Sequence, residues 1–219
     1  MKNVNGFMVC SLVALSLSLA ACCGGTGDTG PRGLQGADGT VVSVQPDPGS
    51  VQDLINEANA LRDAQGQSQL RNGLTCSLYT VPTSTTAIVG ATLTGIGSWS
   101  YTGTFNVANG PVTNGLNVMP SALQAVYQTW YVVKCSGVLV NTTNGWHSFS
   151  MTSDDGANLY VDGLLINNDG LHATSTKSAT RFLSQGIHSF EVDYLQGGGM
   201  ESLIVQEDGA VIPSANMYH

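Results

Sequence analysis

The sequence predicts an all-β domain, an antiparallel sandwich or barrel, preceded by a Gly-rich tether and one short α-helix. Glycine is abundant, with 27 of 219 residues, while only 10% of the residues are charged. From about residue 70, short segments of alternating apolar and polar residues are separated by turn-forming residues. Strands at such spacing are typical of antiparallel all-β architectures. Because 42% of the residues are hydrophobic, the chain can bury a core.

The charge balance is acidic, with seven Lys and Arg against fifteen Asp and Glu and a formal net charge of −8. The basic residues do not form a cluster. Because nucleic acid is bound through a positive surface, we expect no nucleic-acid partner.

Residues 1–21 are predicted to be a signal peptide, with Lys2 as its charged end and an apolar run too short to span a bilayer. The run ends in Leu19-Ala20-Ala21-Cys22, which resembles the lipobox of bacterial lipoproteins. The resemblance implies that Cys22 is lipidated and anchors the chain in a membrane. The alternative is an ordinary secretory signal with an incidental cysteine.

Cys23, rather than the Asp that often retains such lipoproteins at the inner membrane, follows the lipidated residue. The resemblance therefore implies delivery to the outer membrane, with surface exposure as the expectation and a periplasm-facing lipoprotein as the alternative. In an oxidising compartment, Cys76 and Cys135 are the natural candidates for a disulfide, which would leave Cys23 over. The alternative is that Cys76 and Cys135 are small buried hydrophobic residues.

Residues 22–49 form the predicted tether, in which Gly recurs at every third position from Gly24 to Gly39. This pattern resembles the Gly-X-Y repeat of collagen, where only Gly fits the axis shared by three chains. So few triplets cannot hold a triple helix unaided. A homotrimer and a flexible linker therefore both stay open as interpretations.

A helix is predicted within residues 50–72. Ser50-Val51-Gln52-Asp53 is typical of a capping box, and Gln65-Gly66 ends the helical pattern. The apolar stripe favours docking on the helix's own domain, with a short coiled coil as the alternative. The stripe consists of Val51, Leu54, Ala58 and Leu61.

The predicted strands begin after residue 70, and Asp162-Gly163 is typical of the two-residue turn of a type I′ hairpin. A short helix is predicted over Ser121–Gln128. One strand face is expected to carry Phe190, Val192 and Tyr194, and another Leu203 and Val205. The earlier strands are predicted over Leu74–Tyr79, Ala87–Thr94, Trp99–Val107, Trp130–Val140 and Trp146–Thr152, and the hairpin over Asn158–Ile166.

Four ordered blocks of residues carry a family resemblance: Thr152–Gly163, Asn167–His172, Gly186–Tyr194 and Gln196–Gly199. They are similar to the core of the protective-antigen fourteen-kilodalton domain, a β-sandwich of adhesins, glycosidases and toxins. The resemblance covers about residues 130–210 and implies an antiparallel β-sandwich over residues 73–219. Residues 83–130 match none of the family's blocks.

Asp154 and Asp155 are the predicted ligands of a calcium ion. Two adjacent carboxylates repel each other unless a cation lies between them, and calcium takes six to eight oxygen ligands. The resemblance implies that the paired aspartates, often joined by a cis peptide, hold calcium that binds sugar hydroxyls directly. It also makes Gln196, Gly198 and Met200 candidate ligands. The alternative is that Asp154 caps a turn and Asp155 binds no metal.

A second set of candidate ligand-binding residues, Asn168, Asp169 and His172, follows the hairpin. These side chains could line a glycan pocket beside the ion, or Asn-Asp-Gly-Leu could form a turn that its own side chains satisfy. Trp146 and Tyr194 are expected in the core. His147 and His188 are expected to be structural.

No catalytic residue is predicted, because the sequence has no nucleophile elbow, zinc-protease motif or phosphate-binding loop before a helix. Asp162, Asp169 and Asp193 could imitate a glycosidase pair, but a hairpin turn, a loop turn and a strand surface are their commoner positions. The sequence therefore predicts a lipid-anchored, calcium-dependent adhesin whose partner is a glycan. The alternative is a structural or protein-interaction subunit of a surface fibre, with calcium only structural.

Overall fold

The computed structural model describes residues 49–111 and 116–219. The predicted signal peptide, Cys22 and Cys23, and all of the tether except Gly49 lie outside these residues. In the described part, the chain forms a β-sandwich with one helix before it. The helices are α1 (Val51–Ala64) and α2 (Ser121–Gln124), and a 3₁₀ turn covers Ser214–Asn216. The strands are β1 (Leu74–Thr80), β2 (Thr94–Tyr101), β3 (Asn106–Pro111), β4 (Tyr131–Asn141), β5 (Gly145–Asp154), β6 (Ala157–Val161), β7 (Leu164–Asn168), β8 (Ser175–Leu183), β9 (Gly186–Gln196), β10 (Met200–Glu207), β11 (Ala210–Val211) and β12 (Met217–Tyr218).

The described strands form two antiparallel sheets. The seven-stranded sheet has the order β2-β1-β4-β9-β6-β7, with β12 also paired to β4. The five-stranded sheet has the order β11-β10-β5-β8, with β3 also paired to β10. Inward side chains of both sheets, including Phe149, Phe190 and Leu203, form one buried core. The predicted antiparallel sandwich is therefore confirmed.

Alternation along the strands decides which side chains enter this core. Phe190, Val192 and Tyr194 are all buried, and Leu203 and Val205 are buried on the facing sheet, as predicted. Both residues of the Asp162-Gly163 turn have positive φ, which a type I′ hairpin requires.

Cys76 and Cys135 lie opposite each other on β1 and β4, with 4.0 Å between their Cα atoms, and a disulfide joins them. Both cysteines are fully buried in the core. The bond closes a segment with a sequence separation of 59 residues. Cross-linking so long a segment restricts the unfolded chain and so favours the folded sandwich.

The capping box at the start of α1 is present: Ser50 Oγ accepts a hydrogen bond from the Asp53 N–H, and the Asp53 carboxylate accepts one from the Ser50 N–H. The helix ends at Ala64, and Ile55 is its buried residue, against β4. Leu61, a member of the predicted stripe, is 60% exposed. The helix therefore docks on its own domain, as favoured, but through a face that includes Ile55 instead of Leu61.

The strand predicted over Ala87–Thr94 is wrong, because only Thr94 belongs to a strand. The apolar residues of the segment instead cover the outer face of the seven-stranded sheet. Ile88 packs there with Val132 and Leu195, which point away from the main core. An apolar segment can bury itself by covering a sheet as well as by pairing within one.

The strand predicted over Trp99–Val107 is also wrong in its extent, because the chain changes sheets within it. The first part belongs to β2, which pairs with β1, and the last part belongs to β3, which pairs with β10. Between them, Phe105 enters the core. The helix predicted over Ser121–Gln128 is present as the single turn of α2.

Trp146 is not a core residue, in contrast to the expectation. Its side chain is 73% exposed and makes an edge contact with Phe182, with 5.9 Å between the ring centroids. Phe149 and Met151 point inward from β5, so alternation turns Trp146 outward. Tyr194 is fully buried, as expected.

Neither described helix is long and apolar enough to span a membrane.

The Asp162 side chain ties the β6–β7 hairpin to β9. Its carboxylate accepts hydrogen bonds from the Ser189 N–H at 2.9 Å and contacts His188 Nδ1 at 2.6 Å. Burial acts to raise the pKa of Asp162, but the bonds from His188 and Ser189 outweigh it and lower the pKa. The ionised carboxylate therefore stabilises the folded state.

We expect Asp162→Asn to reduce the free energy of unfolding at neutral pH by about 1 kcal/mol, because Asn tolerates positive φ but loses the charge that accepts these bonds. Because the pKa of Asp162 is lower in the folded state, the carboxylate contributes its full stabilisation above pH 3.8, the ordinary Asp pKa. This stabilisation is lost as the pH falls through the folded-state pKa. Urea unfolding between pH 7 and pH 3 measures the effect, with Asp63→Asn on the exposed face of α1 as the control. A difference that stays constant over this range would contradict the assignment.

Candidate functional site

Asp154 and Asp155 lie at one end of the sandwich, where β5 turns into β6. The peptide bond between them is cis, the arrangement that the resemblance implied. Both residues are buried, with 6% and 7% exposure. The next residue is Gly156, where any larger residue would clash, because a Cβ atom would lie 2.5 Å from the carbonyl oxygen of Gly170. The Asp-Asp-Gly sequence thus lets two loops approach each other at backbone distance.

The Asp155 carboxylate is held by backbone N–H groups from two different loops. Oδ1 accepts a hydrogen bond from the His172 N–H at 3.2 Å. Oδ2 accepts bonds from the N–H groups of Gly197 at 2.9 Å and Gly198 at 3.4 Å. Charge-assisted bonds of this kind stabilise the ionised carboxylate. Asp155 therefore joins the loop after β7 to the Gly-rich loop between β9 and β10.

Asp154 is anchored by its own side chain and backbone. Oδ2 accepts a hydrogen bond from Thr174 Oγ1 at 2.9 Å, and the carbonyl oxygen accepts one from the Tyr194 hydroxyl. Burial, with the neighbouring carboxyl groups, raises the pKa of Tyr194 well above its usual value, so the hydroxyl remains a donor. Ser202 lies opposite Asp154 on β10, and its buried hydroxyl has no partner among the described residues.

Gln196 and Met200 lie beside the pair, but the Gln196 side chain is used internally. Its Nε2 donates to the Met200 carbonyl oxygen at 3.0 Å, and its Oε1 contacts the Tyr194 hydroxyl. Gly198 directs its N–H, a donor, toward Asp155. The structure thus brings all five predicted metal ligands to one end of the sandwich. Of these five residues, the two aspartates are the ones that carry carboxylate groups.

Glu201 is a third acidic residue of this end that the sequence analysis did not identify. Its Oε2 atom is buried without a partner among the described residues, and burial raises the pKa of the carboxyl group. Its charge acts on Tyr131 and Tyr194. Because its position depends on the register of β10 against β5, no local sequence pattern could have indicated it.

The described residues provide no basic counter-charge for these acids. The ion pairs within residues 49–111 and 116–219 include neither Asp154, Asp155 nor Glu201. Two buried carboxylates side by side, without a basic partner, favour a bound cation.

The loop after β7 is held mainly by its own side chains. The Asn168 amide is buried and donates to Ser153 Oγ at 2.8 Å and to the Ser175 carbonyl oxygen. The His172 ring contacts the carbonyl oxygens of Asn168 and Ala173 at 2.8 Å. These contacts match the turn interpretation, and the buried Asn168 side chain is not available to line a glycan pocket.

Asp169 connects this loop to the segment that covers the seven-stranded sheet. Its carboxylate accepts hydrogen bonds from the N–H groups of Ile88 at 2.7 Å and Val89 at 3.0 Å. The covering segment, residues 82–92, encloses a surface cleft of about 240 Å³ whose lining includes one Ser and three Thr residues. Asp169 therefore places a polar cleft next to the loop that binds Asp155.

Asp162, Asp169 and Asp193, which could imitate a glycosidase pair, each have another contact. Asp162 binds His188 and Ser189, and Asp169 binds the covering segment. Asp193 is buried, unlike the expected strand-surface position, and pairs with Lys134 Nζ at 2.5 Å.

Comparison with known proteins identifies the fold. Residues 120–212 match the PA14 domain family, the protective-antigen fourteen-kilodalton domain of the sequence analysis. The chain is similar to the PA14 domain of the antifreeze protein MpAFP, with a TM-score of 0.54 and 16% identity over 69% of this chain and 93% of that one. None of the curated proteins matches the sequence.

Two further solved structures share the fold. A PA14 sugar-binding domain from an RTX adhesin has a TM-score of 0.51 and 18% identity, over 68% of this chain and 98% of that one. An anti-sigma factor domain-containing protein from Clostridium clariflavum has a TM-score of 0.51 and 20% identity over 67% of this chain. The match spans only 47% of that protein. The described sandwich therefore has the fold of PA14 domains.

We expect Asp169→Asn to loosen the covering segment, because the two N–H groups donate to different carboxylate oxygens and the substitution replaces one of these oxygens with an NH2 group, which cannot accept. The cost in free energy should be about 1–2 kcal/mol, confined to the covering segment. Hydrogen exchange should show faster exchange of the Ile88 and Val89 amides, with Asp63→Asn as the control. Unchanged exchange at these two amides would show that Asp169 does not hold the segment.

Proposed function

We propose that the sandwich binds carbohydrate through a calcium ion held by Asp154 and Asp155. The observation that carries this proposal is the pair of adjacent, buried carboxylates without a basic partner in the described residues. The solved PA14 sugar-binding domain from an RTX adhesin supports the choice of ligand class.

The chemistry of the donor set fits calcium, which prefers hard oxygen ligands from flexible loops. Asp154 and Asp155 supply carboxylate oxygens, and Glu201 adds a buried carboxyl group whose Oε2 atom has no partner among the described residues. The N–H groups of His172, Gly197 and Gly198 hold the Asp155 carboxylate in place before any ion arrives. The site is thus preorganised for a cation, which reduces the cost of binding one.

When bound, calcium offers coordination positions to vicinal hydroxyl groups, since two carboxylates do not fill a shell of six to eight oxygens. The residues around the pair then decide which sugar is accepted. The loop after β7 and the Gly-rich loop form the rim. The polar cleft of residues 82–92 lies beyond Asp169 and offers hydroxyl groups to a longer glycan.

The N-terminal sequence supports the wider role of a surface adhesin. A lipid on Cys22 would anchor the chain in the outer membrane, and residues 22–49 would hold the sandwich away from that membrane. Because a single sugar site binds weakly, a collagen-like homotrimer would strengthen attachment through multivalency. In this role the protein binds its glycan without catalysing a reaction.

A second candidate function is that of a protein-interaction subunit, and the outer face of the five-stranded sheet favours it. Trp146 and Phe182, 73% and 55% exposed, lie opposite each other there on β5 and the edge strand β8. Exposed aromatic pairs of this kind are enriched at protein interfaces. Calcium would then only stiffen the loops at the end of the sandwich.

We expect Asp155→Asn to abolish calcium-dependent glycan binding, because it removes one of the two ligand charges. A glycan array probed with residues 49–219, in calcium and in chelator, measures this. Glu57→Gln removes one exposed charge from α1 and should bind as the wild type does. Circular dichroism checks that Asp155→Asn is folded, and Asp154→Asn is the second variant.

Glycan binding that survives both chelator and Asp155→Asn would place the sugar site elsewhere and contradict the proposal. The interaction subunit would be established instead by two results together. The folded wild type would bind no glycan, and a Trp146→Ser variant would fail to assemble with its protein partners at the cell surface.

A further inference from the structure

We propose a second metal site, for a divalent transition-metal ion such as zinc, at the opposite end of the sandwich. It consists of His147, Glu207 and Asp208. One ligand atom from each residue lies within 4.8 Å of the others. His147 and Asp154 are both on β5, seven residues apart (147 to 154), which is about 23 Å along a strand. The site is therefore independent of the proposed calcium site.

Three adjacent backbone segments bring these groups together. His147 lies near the start of β5, Glu207 is the last residue of β10, and Asp208 follows in the turn to β11. Antiparallel pairing of β5 with β10 places Glu207 opposite Phe149, on the same inward side as His147. Asp208 Oδ1 accepts a hydrogen bond from the Ser148 N–H at 2.8 Å, which fixes the orientation of its carboxylate.

Both carboxylates approach the same nitrogen of the imidazole ring. His147 Nδ1 lies 2.9 Å from Glu207 Oε1 and 3.1 Å from Asp208 Oδ2. One N–H bond points along one line, so it cannot serve two acceptors with good geometry. A metal ion among the three atoms would instead satisfy the lone pair of the nitrogen and both negative charges at once.

The His147 side chain is 9% exposed, and its Nε2 atom has no hydrogen-bond partner among the described residues. Among the described residues, this buried ring therefore makes its polar contacts through Nδ1. Coordination of a metal through Nδ1 would use the ring nitrogen that faces both carboxylates.

The surrounding charges leave the two carboxylates available. Arg181 lies opposite His147 on β8, but its guanidinium donates to the carbonyl oxygens of Val161 and Asp162 in the other sheet. His188 on β9 contacts the Asp162 carboxylate. The basic groups packed around the site are thus engaged elsewhere.

The donor set indicates the class of metal. Zinc binds imidazole nitrogens and carboxylate oxygens, and a zinc site with three protein ligands leaves one position open. The Asp208 side chain is 54% exposed, so an ion can enter from solvent and the open position would face outward. Calcium, which prefers oxygen ligands only, is disfavoured here.

Titration of the full chain with zinc, in excess calcium and followed by calorimetry, tests the site. We expect one zinc ion per chain, with an X-ray absorption spectrum showing nitrogen and oxygen ligands. Asp208→Asn keeps the acceptor for Ser148 and the tolerance for the positive φ of residue 208, so it should fold. This variant should weaken zinc binding by at least about 10- to 100-fold, because the loss of a residue that only hydrogen-bonds to a metal ligand already has an effect of that size.

His147→Gln should weaken zinc binding to a similar extent, and Glu57→Gln should leave it unchanged. The proposal is overturned if the wild type binds no zinc under these conditions. It is equally overturned if zinc binds the wild type, Asp208→Asn and His147→Gln with the same affinity, because the ion then lies elsewhere.

Discussion

The end of the sandwich that carries the candidate sugar site is organised around one buried charge, the carboxylate of Asp155. A buried carboxylate is costly unless hydrogen bonds or opposite charge compensate for it. Here N–H groups from two loops supply part of that compensation, and in doing so they set the positions of both loops. The close approach at Gly156 and Gly170 depends on the same arrangement. The carboxylate of the neighbouring residue, Asp154, accepts a hydrogen bond from Thr174 Oγ1 but has no basic partner among the described residues, and we therefore propose a cation here.

The two sheets contribute differently to function. The seven-stranded sheet is covered near Asp155 on both faces, by the main core and by the covering segment, so it forms the support of this end. The five-stranded sheet contributes polar groups at both of its ends. Asp154 and Ser202 lie at one end, and His147, Glu207 and Asp208 lie at the other. Its exposed outer face carries the aromatic pair Trp146 and Phe182.

Features encoded in short segments could be predicted from the sequence. The capping box at Ser50, the turn at Asp162-Gly163 and the inward face of Phe190, Val192 and Tyr194 depend on residues close together in the chain, and all are present. Features that depend on register or on packing could not. Alternation places Trp146 on one face of its strand, but only the sheet packing decides which face is buried. The partnership of His147 with Glu207 and Asp208 needs the pairing of β5 with β10.

We propose that Asp154 and Asp155 hold a calcium ion. A crystal structure of the chain grown with calcium tests it most directly, with anomalous scattering to identify the ion. We expect a peak about 2.3–2.6 Å from carboxylate oxygens of both residues, with further oxygen ligands from solvent or an added sugar. No ion at the pair, with Asp155 still bound only by the N–H groups of His172, Gly197 and Gly198, would contradict it.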